Sequence, residues 1–106
     1  MNTEKQQSPV RAGQLCISLA GRDRGKTYMV TGQDEGMKFV FLSDGCSRKV
    51  NNPKKKRLKH VKMISSVESS ELENRIMQGK KVYDHEIARI IHLFMADKAL
   101  LPHKEG

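Results

Sequence analysis

No apolar run in the 106-residue chain approaches the roughly 20 residues that cross a bilayer, which excludes a membrane-spanning helix and predicts a soluble protein. Cysteine is scarce. Cys16 and Cys46 are the only two, far apart and without a C-x-x-C pair, so both read as small half-buried residues rather than a disulfide or redox pair. The four histidines, His60, His85, His92 and His103, form no H-x-x-x-H pair and have no acidic cluster beside them. No metal site and no cofactor are expected. Aromatic residues are few: Tyr28, Phe39, Phe41, Tyr83 and Phe94. Phe39 and Phe41 read as core and Phe94 as part of a helical stripe, which leaves Tyr28 as the one strand residue able to stack on a base. No serine, histidine and acid cluster and no paired carboxylates can be placed together, so the chain is not expected to be an enzyme.

One further absence is local. Arg48 to Lys62 reads RKVNNPKKKRLKHVK and contains no acid. Arg48, Lys49, Lys54, Lys55, Lys56, Arg57, Lys59 and Lys62 give it eight positive charges, with His60 among them. The whole chain is +8, so the rest of the molecule is balanced at twelve basic and twelve acidic residues. Charge concentrated in this way predicts a polyanionic partner, and nucleic acid is the first class to consider. Interspersed acids, which a merely solubilising face would carry, are missing. A membrane-surface patch has weaker support, because no basic amphipathic helix adjoins the run.

The polar start MNTEKQQSPVRA has no apolar signal core. It predicts a cytoplasmic protein with a disordered tail over 1–12. Organised sequence then runs as a β unit over 13–65. Gln14–Ala20 alternates, with Leu15, Ile17 and Leu19 opposite Cys16, Ser18 and Ala20. Thr27–Thr31 is rich in β-branched and aromatic residues. Met37–Leu42 reads as a strand buried on both faces. Asp44-Gly45 signals a hairpin into a short fourth strand, Cys46–Val50. Asn51-Asn52-Pro53 breaks that strand, the lysine run follows as a loop, and Lys59–Ile64 alternates as a fifth strand. Five short strands with tight turns predict a small closed or nearly closed barrel and a mainly β fold.

A helical extension over 66–106 follows, with two short helices. Ser70-x-x-Glu73 is a capping box that places Ser70 at the N-cap, and Gly79 suits the C-terminal end. Asp84 is the second N-cap, with Glu86 in the first turn. Ile87, Ile90, Ile91 and Phe94 fall at i, i+3, i+4, i+7 and make an amphipathic stripe that offers a surface for docking a partner. Pro102 limits the second helix.

Ala20 to Thr27 fits a permissive phosphate-loop pattern, and Phe39–Asp44 imitates the strand that ends in a metal-binding acid. A phosphate loop works because a helix begins at its Lys-Thr. Here Tyr28-Met29-Val30-Thr31 predicts a strand instead, so nucleotide hydrolysis is set aside. The loop reads as a turn between antiparallel strands, hinged by Gly21 and Gly25 and tipped by Arg22, Arg24 and Lys26.

Strand, Gly21-Arg22-Asp23-Arg24-Gly25-Lys26, strand, Asp44-Gly45, Pro53-Lys54-Lys55-Lys56 and Lys59-His60-Val61, in this order, resemble the KOW-domain RNA-binding proteins, above all the KOW-bearing proteins of the large ribosomal subunit. The likeness covers about 13–64. Thr27 and Tyr28 stand where many such motifs have a second glycine. The resemblance implies an SH3-like five-stranded barrel that binds structured RNA, commonly ribosomal. The expected contacts are Arg22, Arg24 and Lys26 of the loop with Arg48, Lys49, Lys54, Lys55, Lys56, Arg57, Lys59, His60 and Lys62, acting mainly on phosphates. The expected protein is a monomer that meets ribosomal RNA, and ribosomal proteins besides, but no membrane. The competing expectation is an adaptor of the translation or transcription machinery that binds protein through the barrel and the Ile87–Phe94 stripe.

Overall fold

The structure, a computed structural model, describes residues 10–64 and 67–100. Five strands form one antiparallel sheet: β1 (Leu15–Ser18), β2 (Thr27–Gln33), β3 (Phe39–Ser43), β4 (Lys54–Arg57) and β5 (Val61–Ile64), in the spatial order β4-β3-β2-β1-β5. Two helices follow, α1 (Ser70–Met77) and α2 (Asp84–Leu100). The helices hold about as many residues as the strands, so the fold is mixed α and β rather than mainly β. The second helix is long, at 17 residues. The disordered tail expected over 1–12 lies mostly outside the described residues. Within them, Val10 is already buried in the core.

The sheet is strongly curled. β4 and β5 stand at its two edges, yet only the 3-10 turn Leu58–His60 joins them. A flat five-stranded sheet would separate its edges by roughly 19 Å. Four residue steps through a 3-10 turn advance only about 8 Å. Two hydrogen bonds pin the turn: Leu58 N–H donates to the Lys38 carbonyl and Leu19 N–H to the His60 carbonyl, both at 2.8 Å. The sheet also bends where the β2–β3 register shifts between Val30 and Gly32, as a bulge does.

Curling gives the sheet two different faces. Cys16, Tyr28, Val30, Val40, Leu42 and Val61 gather on one side with Val10. Leu15 and Met29 point the other way and pack with Leu72, Val82 and Ile87 of the helical layer. The period-two alternation expected for β1 is therefore real, but both of its faces are covered. In β3 the core residues are Val40 and Leu42, whereas Phe39 and Phe41 are only half-buried. The expectation that these two phenylalanines belong to the core is corrected.

Two further expectations fail. Cys46–Val50 is a loop, and the fourth strand is the lysine run itself, Lys54–Arg57, paired with β3 from Phe39↔Arg57 to Leu42↔Lys54. Asp44-Gly45 is not a two-residue hairpin. Gly45 has φ +76°, and a Cβ on it would lie 2.2 Å from the Asp84 carbonyl oxygen and 2.9 Å from the Ala88 nitrogen. Glycine is required there because the loop backbone rests directly on the first turns of α2. The Asp84 carboxylate continues this contact by accepting from Val50 N–H at 2.6 Å.

The helix ends follow sequence chemistry with small shifts. The N-cap of α1 is Ser69, one residue before the expected Ser70. Gly79, at φ +76°, ends the helix as expected, with its N–H on the Ile76 carbonyl and Lys80 N–H on the Arg75 carbonyl. At the start of α2, Glu86 accepts from Tyr83 N–H at 3.0 Å and pairs with Arg75, which joins the two helices. Ile87 is fully buried, and Ile90, Ile91 and Phe94 pack behind it. The stripe expected to dock a partner thus fastens α2 to the sheet. Leu93 and Met95 lie off it, exposed. No helix among the described residues is long and apolar enough to cross a membrane.

Candidate nucleic-acid interface

The Gly21–Lys26 loop joins β1 to β2. Gly25 N–H donates to the Ser18 carbonyl and Ser18 N–H to the Lys26 carbonyl, at 2.8 and 2.9 Å. Gly21 and Gly25 have φ of +87° and +88°, a conformation that glycine adopts without penalty. The residues after Lys26 form β2, as expected for a turn and not for a nucleotide-binding loop. Between the two glycines Arg22 and Arg24 are exposed, and Asp23 turns inward.

Asp23 is the centre of the arrangement. One carboxylate oxygen accepts from Ser18 Oγ at 2.7 Å and from Lys56 Nζ at 2.9 Å. The other accepts from Tyr28 Oη at 2.9 Å and pairs with Lys54 Nζ at 2.8 Å. The Asp23 side chain is 9% exposed and that of Lys56 10%. Lys56 also donates to the Ala20 carbonyl at 2.8 Å. Burial by itself pushes the Asp23 carboxyl up. Hydrogen bonds from Lys54, Lys56, Ser18 and Tyr28 outweigh it and hold the group well below the usual carboxylate range. Burial, and then the Asp23 charge, pushes the neighbouring Cys16 thiol up to about 12. Cys16 is buried and Cys46 exposed, both unbridged, so the expectation of two half-buried cysteines is replaced by one of each kind.

Asp44 does the same for a third segment. Its carboxylate pairs with Lys26 Nζ at 2.8 Å and accepts from Ser47 Oγ at 2.8 Å and from the N–H groups of Cys46 and Arg48 at 2.9 Å. Burial opposes ionisation here too, but Lys26 and the loop donors hold the carboxyl low. Asp23 therefore joins the glycine loop to β4, and Asp44 joins the same loop to the segment carrying Arg48 and Lys49. Two acids thus gather three basic segments, the glycine loop and two parts of the Arg48–Lys62 run.

Along β4 the side chains alternate. Lys54 and Lys56 reach Asp23, and Lys55 and Arg57 project from the other face. There they flank Phe39: Lys55 Nζ lies 4.5 Å from the ring centroid and the Arg57 guanidinium carbon 5.4 Å, within cation–π range. Arg22, Arg24, Lys49, Lys59 and Lys62 are exposed and, among the described residues, make no ion pair; Arg48 and His60 are half-buried.

The twelve basic residues expected to bind RNA thus fall into two groups. Lys26, Lys54 and Lys56 are paired within the molecule, and most of the others face solvent. Tyr28 is buried and hydrogen-bonded to Asp23, so it is no stacking platform. The sequence reading missed Asp23 and Asp44 as organisers, Phe39 as a surface aromatic, and Lys38, exposed just before β3. Period two within Lys54–Arg57 was the available signal, since alternate lysines of a strand must point opposite ways. Among the described residues no group of three histidine, cysteine or acidic side chains could hold a metal ion.

A scan against protein-family models and a search of the curated proteins both give no match to this chain.

Proposed function

We propose that this is a non-enzymatic RNA-binding protein, a small KOW-type module with an SH3-like curled barrel, that contacts the phosphate backbone of structured RNA and works with the ribosome. The observation that carries the reading is the gathering of three basic segments by Asp23 and Asp44 while Arg22, Arg24, Lys49, Lys55, Arg57, Lys59 and Lys62 face outward. A polyanion is the ligand that such a surface favours. Among the described residues, the scarcity of exposed aromatics and the absence of an Arg- or Asn-rich recognition helix favour backbone contacts and shape over base reading. The adaptor reading has less to stand on, because Ile87 is buried and Ile90, Ile91 and Phe94 are half-buried against the same core cluster.

The alternation in β4 makes the reading testable. With about six cations on phosphates, log K should fall with log salt at a slope of roughly −4 to −5. Lys55→Ala with Arg57→Ala, on a ribosomal RNA hairpin, should flatten that slope by roughly 1 to 2 and leave the unfolding midpoint nearly unchanged. Lys56→Ala should chiefly lower stability. An unchanged slope in the double variant would overturn β4 as the contact.

A further inference from the structure

Beside the outward cations lies a cleft that phosphate binding does not explain. Met37, Lys38, Arg57, Leu58 and Lys59 line it, and it encloses about 420 Å³, within the range of small-ligand sites. Met37 and Leu58 supply apolar surface, the other three described lining residues are cations, and none of those described is acidic. The walls are tied together. Leu58 N–H donates to the Lys38 carbonyl at 2.8 Å. The Asp34 side chain accepts from Lys38 N–H and Phe39 N–H at 2.9 and 3.0 Å, which fixes the turn that carries Met37 and Lys38. Met37 has φ +59°, the only non-glycine residue among those described with positive φ, and its side chain stands 49% exposed. An apolar side chain held outward in a sparsely populated backbone conformation is a mark of a functional position.

The geometry points to a nucleotide site: one unstacked base lies against Met37 and Leu58, and its flanking phosphates meet Lys38, Arg57 and Lys59. This rests on the RNA reading above and adds that the RNA partner carries a bulged or looped-out nucleotide. Charge complementarity selects the occupant. An uncharged apolar peptide would leave three rim cations unanswered, whereas a nucleotide joins a flat apolar face to anionic groups on both sides. Arg57 lines the cleft and lies over the Phe39 ring, 5.4 Å from its centroid, which helps hold the guanidinium at the rim where a phosphate would meet it.

The test uses the full chain and three RNA hairpins: one with a single bulged 2-aminopurine, the same hairpin with an abasic bulge, and an uninterrupted one. The bulged hairpin should bind about ten-fold tighter than the other two, with 2-aminopurine fluorescence rising as the base leaves its neighbours for the aliphatic cleft. In protein labelled at the methionine methyl carbons, the Met37 resonance should move with that hairpin alone. Met37→Gly keeps the backbone conformation accessible, so it should abolish the preference and leave affinity for the uninterrupted hairpin unchanged. Equal binding of all three hairpins, or a shift at Met95 in place of Met37, overturns the site while the RNA reading stands. An equal Met37 shift with an uncharged leucine-rich peptide reassigns the cleft to protein and overturns it as well. Failure to bind any hairpin at 100 mM salt defeats the RNA reading and this site with it.

Discussion

Lys56 Nζ lies 2.9 Å from the Asp23 carboxylate with both side chains almost wholly covered, so the middle of the basic run is anchored inward and held by an acid 33 residues earlier. Removing that acid leaves Lys56 covered with only the Ala20 carbonyl to receive it, and leaves the Tyr28 hydroxyl without its acceptor. Asp23→Ala should therefore destabilise the protein by about 2–4 kcal/mol, read from urea unfolding at pH 7. Asp23→Asn preserves shape and part of the hydrogen bonding, and should fall between the two.

Acid should weaken the fold through the same group. In the unfolded chain an aspartate titrates near 3.9. In the native protein Asp23 and Asp44 are both held lower. Above about pH 5 both states are ionised and the stabilisation is complete. As pH falls past the unfolded value, the unfolded chain takes up protons that the native protein refuses, and stability declines until the native groups protonate too. Unfolding free energies measured from pH 6 to pH 2 should show this decline in the native sequence and a shallower one in Asp23→Asn. Equal slopes would contradict the network.

The glycines should separate into two classes. Gly45→Ala forces a Cβ into the backbone of α2, 2.2 Å from the Asp84 carbonyl oxygen, and also incurs the penalty of a positive φ. The loss should be about 3–5 kcal/mol. Gly25→Ala meets nothing within 4 Å and incurs the backbone penalty alone, about 1–2 kcal/mol. Thermal denaturation of the two variants side by side checks the order.

How much of this could be read in advance depends on how local its cause is. β1, β2 and most of β3 follow from alternation and β-branched residues close in sequence. The end of α1 at Gly79 is equally local. The fourth strand is not. Four consecutive cations carry no apolar alternation, and what makes Lys54–Arg57 a strand is a neighbour in space, β3, with Asp23 waiting beneath Lys54 and Lys56. Cys46–Val50 looked extended, but Asp44 folds it into a loop by accepting from Cys46 and Arg48. Gly45 carried a true signal with the wrong cause, since the partner that demands it is a helix some forty residues later. The basic residues of the candidate interface were legible as a set; their division into anchored and outward ones required the sheet.

The position of β4 at the sheet edge has a consequence for crowding. An edge strand exposes unpaired backbone groups on which another chain can pair, and lysine along an edge is a common protection. A strand reading Lys-Lys-Lys-Arg repels a second copy of itself before any backbone contact can form. On the proposed RNA-binding reading, the charges that oppose self-pairing are the ones that would meet the polyanion. A polyanion that neutralised Lys55 and Arg57 would remove that repulsion, so a complex would resist self-pairing only if the ligand also covered the edge.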